Sequence, residues 1–138
     1  WNRVKPAVNL LECNPFFQRE GERAYLENQD ISLLAWSPLS AGQKDLLRNE
    51  VLCRIGAAHG KSAAQVVLRW LAERGTVPLV KSANPRRMRE NLDIFDFALS
   101  EEEMAEIAGL DTGRTCFAPR DTGEAVTAFL AQAVSGGK

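Results

Sequence analysis

The sequence is poor in the residues on which metal and nucleophilic chemistry usually rest. Its 138 residues include one histidine, one tyrosine, two methionines and three cysteines. Cys13, Cys53 and Cys116 are odd in number, widely spaced and without a CxxC pair. Neither a zinc site nor a disulfide framework is expected of them, and a reducing cytoplasm fits best. No apolar run nears the ~20 residues needed to span a bilayer, and nothing at the start resembles a signal peptide. The formal net charge of −1 offers no basic excess to draw nucleic acid or an anionic membrane. What is present is the composition of one globular domain, 45% hydrophobic and 25% charged, in a chain long enough for a real core.

The chain opens on Trp1, not on methionine, and its first six residues read as a helix tail running into a turn at Pro6. It is therefore expected to begin inside something larger. Three short apolar runs, 7–13, 31–36 and 77–80, are nearly continuous rather than alternating, which predicts buried parallel strands. A polar stretch at 18–28 predicts a covering helix. The spacing of Leu47, Val51, Leu52, Ile55 and Ala58 predicts another over 45–58. Ser62 with Gln65, and Ser100 with Glu103, have the spacing of capping boxes. The first starts a helix over 62–74 that buries Val66, Val67, Trp70 and Leu71; the second starts one through Met104, Ile107 and Ala108. Residues 122–134 form a possible last helix, and 135–138 are expected to fray. The order strand, helix, strand, helix, strand, helix predicts an α/β fold of βαβ units.

The strand exits carry the chemistry. The runs end in Glu12-Cys13-Asn14-Pro15, in Trp36-Ser37-Pro38-Leu39-Ser40 and in Lys81-Ser82-Ala83-Asn84. Asn84 and Pro85 read as N-cap and first residue of a helix. Arg86 and Arg87 then stand in its first turn, beside the positive end of the helix dipole. A phosphate would account for that placement, since free backbone N–H groups and fixed cations converge on one anion. A solvated basic helix start is the plainer reading. Parallel α/β sheets and barrels bind ligands at the carboxyl ends of their strands, so three polar clusters on one rim favour the phosphate.

Five ordered motifs, VNLLECNPFFQ, LLAWSPLS, AAQVVLRW, VPLVKSANPRRMRENL and FDFALSEEEM, resemble the second half of the aldo-keto reductases, from about Lys5 to about Leu110. The resemblance implies part of a (β/α)8 barrel, about three strands of the eight, which in its complete form transfers hydride from NADPH to an aldehyde or ketone. It implies that Lys81, Ser82 and Arg87 hold the 2′-phosphate of NADPH with Asn84 beside them, and that Glu90 and Asn91 contact the adenine. Ser37 and Leu39 would lie along the pyrophosphate, and Trp36 would stack on the nicotinamide. Core packing at a strand end is the alternative for Trp36. Residues 1–111 would be the barrel part and 112–138 a C-terminal tail that could form a helix.

The departures from the family pattern are specific. Leu10 stands where a glutamine usually holds the nicotinamide carboxamide, and Asn14 where a histidine is common. The family's catalytic aspartate, tyrosine, lysine and histidine come from first-half strands, so no catalytic residue is assigned. Tyr25 and His59 lie in no matching motif and are expected to be structural. A complete barrel needs roughly 250 residues and eight strands. Three strands would leave open edges and a bare apolar face, which predicts self-association; the alternative is that the tail, through Phe117 or residues 122–134, covers that face. The implied function is the NADPH-binding carboxyl-terminal segment of a carbonyl reductase, inactive alone. The alternatives are a non-catalytic nucleotide- or phosphate-binding half-barrel and a truncated, self-associating relic. The small-molecule carbonyl substrate is not readable, although Cys116 and Phe117 could line its pocket or pack on the surface.

Overall fold

Strands β1 (Val8–Glu12), β2 (Ser32–Trp36) and β3 (Val77–Pro78) run parallel in the order β1-β2-β3. Helix α1 (Glu20–Asn28) joins the first two. A 3₁₀ segment, Ser40–Arg48, then α2 (Glu50–His59) and α3 (Ala63–Glu73) lead to β3. Helices α4 (Pro85–Leu92) and α5 (Glu101–Ala108) follow. This computed structural model describes residues 4–117, 122–124, 126, 127 and 131. The first three residues of the expected opening helix tail, and much of the expected 122–134 helix, lie outside that set.

The core lies on one side of the sheet. Leu33 and Ala35 of β2 and Cys13 just beyond β1 pack with Leu26, Leu52, Ile55, Val66, Val67, Trp70, Leu71 and Ile107. The four α3 residues expected inside are all 0–1% exposed. Each such aliphatic side chain contributes about 1.5–3 kcal/mol by leaving water. Among the described residues the other side of the sheet is bare over its first part, although residues 115–117 cover it at the Glu12 and Trp36 end. Register aligns Leu10 with Leu34 and Leu34 with Val77 on that face, where Val8, Leu10 and Val77 are 51%, 53% and 49% exposed. Parallel sheets ordinarily have both faces covered.

Helix boundaries follow local chemistry. The Ser62 and Ser100 capping boxes both form. Gly56 permits the tight passage from α2 to α3, because a Cβ there would meet the Lys61 carbonyl at 2.5 Å. Two expectations need correction. The single helix over 45–58 is two pieces, because Asn49 Oδ1 accepts from Val51 N–H at 3.0 Å and Leu52 N–H at 3.2 Å and so starts a new helix. That break buries Leu46 completely and leaves Leu47 41% exposed, the reverse of the face expected. The strand expected over 77–80 contracts to Val77–Pro78. Proline removes a ladder donor, although Leu79 N–H still reaches Ala35 O at 2.9 Å.

Candidate functional site: a cationic cavity at the strand exits

At the exit of β2 the backbone leaves the regions that side chains prefer. Ser37, Ser40 and Ala41 have φ of 51°, 53° and 51°, left-handed values that cost roughly 1–2 kcal/mol each without glycine. The turn sets Ser37 and Leu39 facing the exit of β3. Across from them, Asn84 caps α4, its Oδ1 accepting from Arg86 N–H at 2.9 Å and Arg87 N–H at 3.4 Å. Ser82 Oγ accepts from Asn84 N–H at 3.1 Å and closes the approach. Pro85 at the first helical position needs no donor partner there.

Between these two exits lies a cavity of about 520 Å³ lined by Ser37, Leu39, Lys81, Ser82, Arg87, Glu90 and Asn91 among others. Of the residues singled out from the sequence, these seven come together. Trp36 and Asn84 lie outside the lining: Asn84 is occupied by the helix cap, and Trp36 sits at the adjacent strand end with its ring 5.0 Å from that of Phe117. Lys81 and Arg87 have no ion-pair partner among the described residues, whereas Arg86 pairs with Glu90 at 3.2 Å. The hydroxyl of Ser37 is buried without a hydrogen-bond partner among the described residues. Two unneutralised cations, a helix N-terminus and an orphaned hydroxyl around one cavity suit a multiply charged anion.

A second polar cluster closes the exit of β1. Glu12 is 3% exposed and Asn14 fully buried. The Glu12 carboxylate accepts from Cys116 N–H at 2.9 Å and from the Thr115 hydroxyl. In the sequence Glu12 stands out only as part of the polar exit of the first run, as the one charge within residues 7–13. Cys116, 7% exposed, packs inside, and Phe117 lies against Trp36. Leu10 is half exposed on the uncovered face. Tyr25 is 64% exposed on α1. His59 ends α2 and bonds Glu103 of α5. Burial pushes the Cys13 thiol up to about 11 against a smaller opposing pull from Arg74, so this sulfur is unreactive near neutral pH. Among the described residues no three His, Cys, Asp or Glu side chains group to hold a metal ion. No described helix is long and apolar enough to cross a membrane.

The profile of the Aldo/keto reductase family matches residues 2–112. The chain belongs to this family. It is 48% identical over 108 residues to glyoxal reductase of Bacillus subtilis, covering 78% of this chain and 38% of that protein. It is 43% identical over 115 residues to aldose reductase B of Dictyostelium discoideum, covering 83% and 37%. Among solved structures, the aldo-keto reductase MGS-M4 from a Medee basin deep-sea metagenome library superposes with a TM-score of 0.83 at 38% identity, over 87% of this chain and 44% of that one. A Bombyx mori aldo-keto reductase in complex with NADP superposes at 0.79 and 30% identity, over 87% and 42%. The three parallel strands and their helices are thus part of an aldo/keto reductase (β/α)8 barrel. This aldo/keto reductase chain spans about two fifths of the length of the curated relatives it matches.

Proposed function

We propose that this chain is the cofactor-binding carboxyl-terminal part of an NADPH-dependent aldehyde or ketone reductase. The observation that carries the reading is the pairing of Lys81 and Arg87, both without counter-ions among the described residues, on one cavity with Ser82 at the start of α4. In this reading Lys81, Ser82 and Arg87 grip the 2′-phosphate, and the α4 N-terminus held by Asn84 adds its dipole. Glu90 and Asn91 border the adenine, while Ser37 and Leu39 border the pyrophosphate. The Ser37 hydroxyl, buried and without a partner among the described residues, supports that role, since a phosphate oxygen can accept from it. Trp36 offers a ring on which a nicotinamide can rest. NADPH supplies hydride to the carbonyl carbon when bound. Leu10 contributes only apolar surface where an amide would hold the carboxamide.

No residue of this chain is assigned to proton transfer. Tyr25 is on an outer helix surface and His59 is engaged by Glu103. The chain alone is therefore read as inactive toward carbonyl compounds. A cytoplasmic setting belongs to the same reading, supported by three cysteines that are all free. Titration calorimetry tests the site directly: NADPH and adenosine 2′,5′-bisphosphate are expected to bind, NADH more weakly. Equal binding of NADPH and NADH, or none of either, would sink the 2′-phosphate assignment.

A second reading concerns the chain in isolation. The uncovered face bearing Val8, Leu10 and Val77, together with Met88 and Leu92 of α4 at 51% and 74% exposed, favours a self-associating half-barrel that binds nucleotide without turnover. Light scattering across a dilution series separates the two states.

A further inference from the structure

The carboxylate of Glu12 is buried, yet no lysine or arginine pairs with it among the described residues. Arg19 Nε donates to its backbone carbonyl instead, at 3.3 Å. A carboxylate held away from water needs donors aimed at it. Here they are Cys116 N–H at 2.9 Å, the Thr115 hydroxyl, and the Asn14 amide at 3.4 Å. Two of the three come from a segment 103 and 104 residues further along the chain. That segment is tied at other points too. Thr112 N–H and its hydroxyl both donate to Phe16 O, at 3.0 and 2.8 Å. The Cys116 thiol donates to Ser40 Oγ at 3.4 Å. Ser40 stands between Leu39 and Ala41, which line the cationic cavity.

The geometry points to Glu12 as a positioning residue: its buried carboxylate clips residues 115–117 across the exits of β1 and β2. The clip fixes Phe117 against Trp36 and joins the segment, through Ser40, to the loop that walls the cavity. The wall beside Trp36 is thereby set by a residue that need touch neither cofactor nor substrate. That this wall borders a carbonyl pocket rests on the oxidoreductase reading; the clip itself does not.

Thiol labelling tests it on the chain as it stands. Cys53→Ser removes the exposed thiol of α2, and the fully buried Cys13 remains unreactive, so Cys116 alone reports. Slow labelling is expected in this parent. Glu12→Ala is expected to speed it about tenfold or more, as loss of hydrogen bonds to a charged acceptor implies. Glu12→Gln keeps an oxygen for the Cys116 N–H and should restore most of the protection, a rescue that general destabilisation would not give. Thr115→Val removes one donor at a half-buried position and should give an intermediate rate, even if Glu12→Ala fails to fold. Fast labelling in the parent overturns the clip. So do equal rates in the Ala and Gln variants, or a Thr115→Val rate no higher than the parent's. NADPH titration of the same proteins keeps the two claims apart. A protected Cys116 without nucleotide binding counts against the oxidoreductase reading alone, and an unprotected Cys116 with binding intact counts against the clip alone.

Discussion

His59 Nε2 stands 2.9 Å from one carboxylate oxygen of Glu103 and 3.0 Å from the other, locking the end of α2 to the first turn of α5. The same carboxylate accepts from Ser100 N–H at 2.9 Å and completes the capping box of α5. Burial acts to raise the Glu103 carboxyl, but the Ser100 N–H and His59 outweigh it and hold the group below its ordinary range. A carboxylate lowered on folding stabilises the fold above its unfolded value and loses that contribution as pH falls through its folded one. The urea midpoint of the parent is therefore expected to drop as pH falls through and below the ordinary carboxylate range. In Glu103→Gln the drop should be smaller, and an unchanged drop would show that other groups account for it.

Arg87→Ala is expected to weaken NADPH about tenfold to a hundredfold, the range of a lost charge-assisted contact of about 1.5–3 kcal/mol. NADH affinity should stay within about twofold, because the lost partner is the 2′-phosphate. Calorimetry with both nucleotides reads the difference, and a parallel loss for NADH would contradict the assignment.

Asn49→Ala should cost about 1 kcal/mol, since Asn49 Oδ1 is the acceptor that starts α2. Leu47→Ala, at an exposed position, should change stability by less than about 0.5 kcal/mol. Chemical denaturation of the two variants checks the break between the 3₁₀ segment and α2. A larger loss for Leu47 than for Asn49 would restore the single helix.

Leu10→Glu places a charge on the uncovered sheet face, where Leu10 is 53% exposed. It is expected to shift a self-associating chain toward monomer with little change in unfolding midpoint, since the core lies on the opposite face. Light scattering over a concentration series reads the shift, and an unaltered mass would place any contact elsewhere.

What was legible in the sequence is what depends on neighbours in the chain. Ser62 with Gln65 and Ser100 with Glu103 act across three residues, and both boxes stand as expected. Val66, Val67, Trp70 and Leu71 share a helical face, and all are buried. The seven cavity residues fall on two strand exits and on α4, which follows the second of them, and their convergence follows from parallel strands. Periodicity misled where a local polar bond competed with it: Leu47, Val51 and Ile55 fit one helix, but Asn49 interrupts the run. The partnership of Glu12 with Cys116 was out of reach, because a separation of 104 positions leaves no periodic trace of it.

The one-sided core has a consequence for inheritance. Leu33, Ala35, Val66, Trp70 and their neighbours close on themselves beneath the sheet, while Val8, Leu10 and Val77 face the interior that a complete barrel would enclose once further strands join at the β1 and β3 edges. A gene break or exchange at that seam would leave the packed interior whole. Such a piece can be passed on, paired or replaced as a unit, with the seam alone obliged to match its new neighbour.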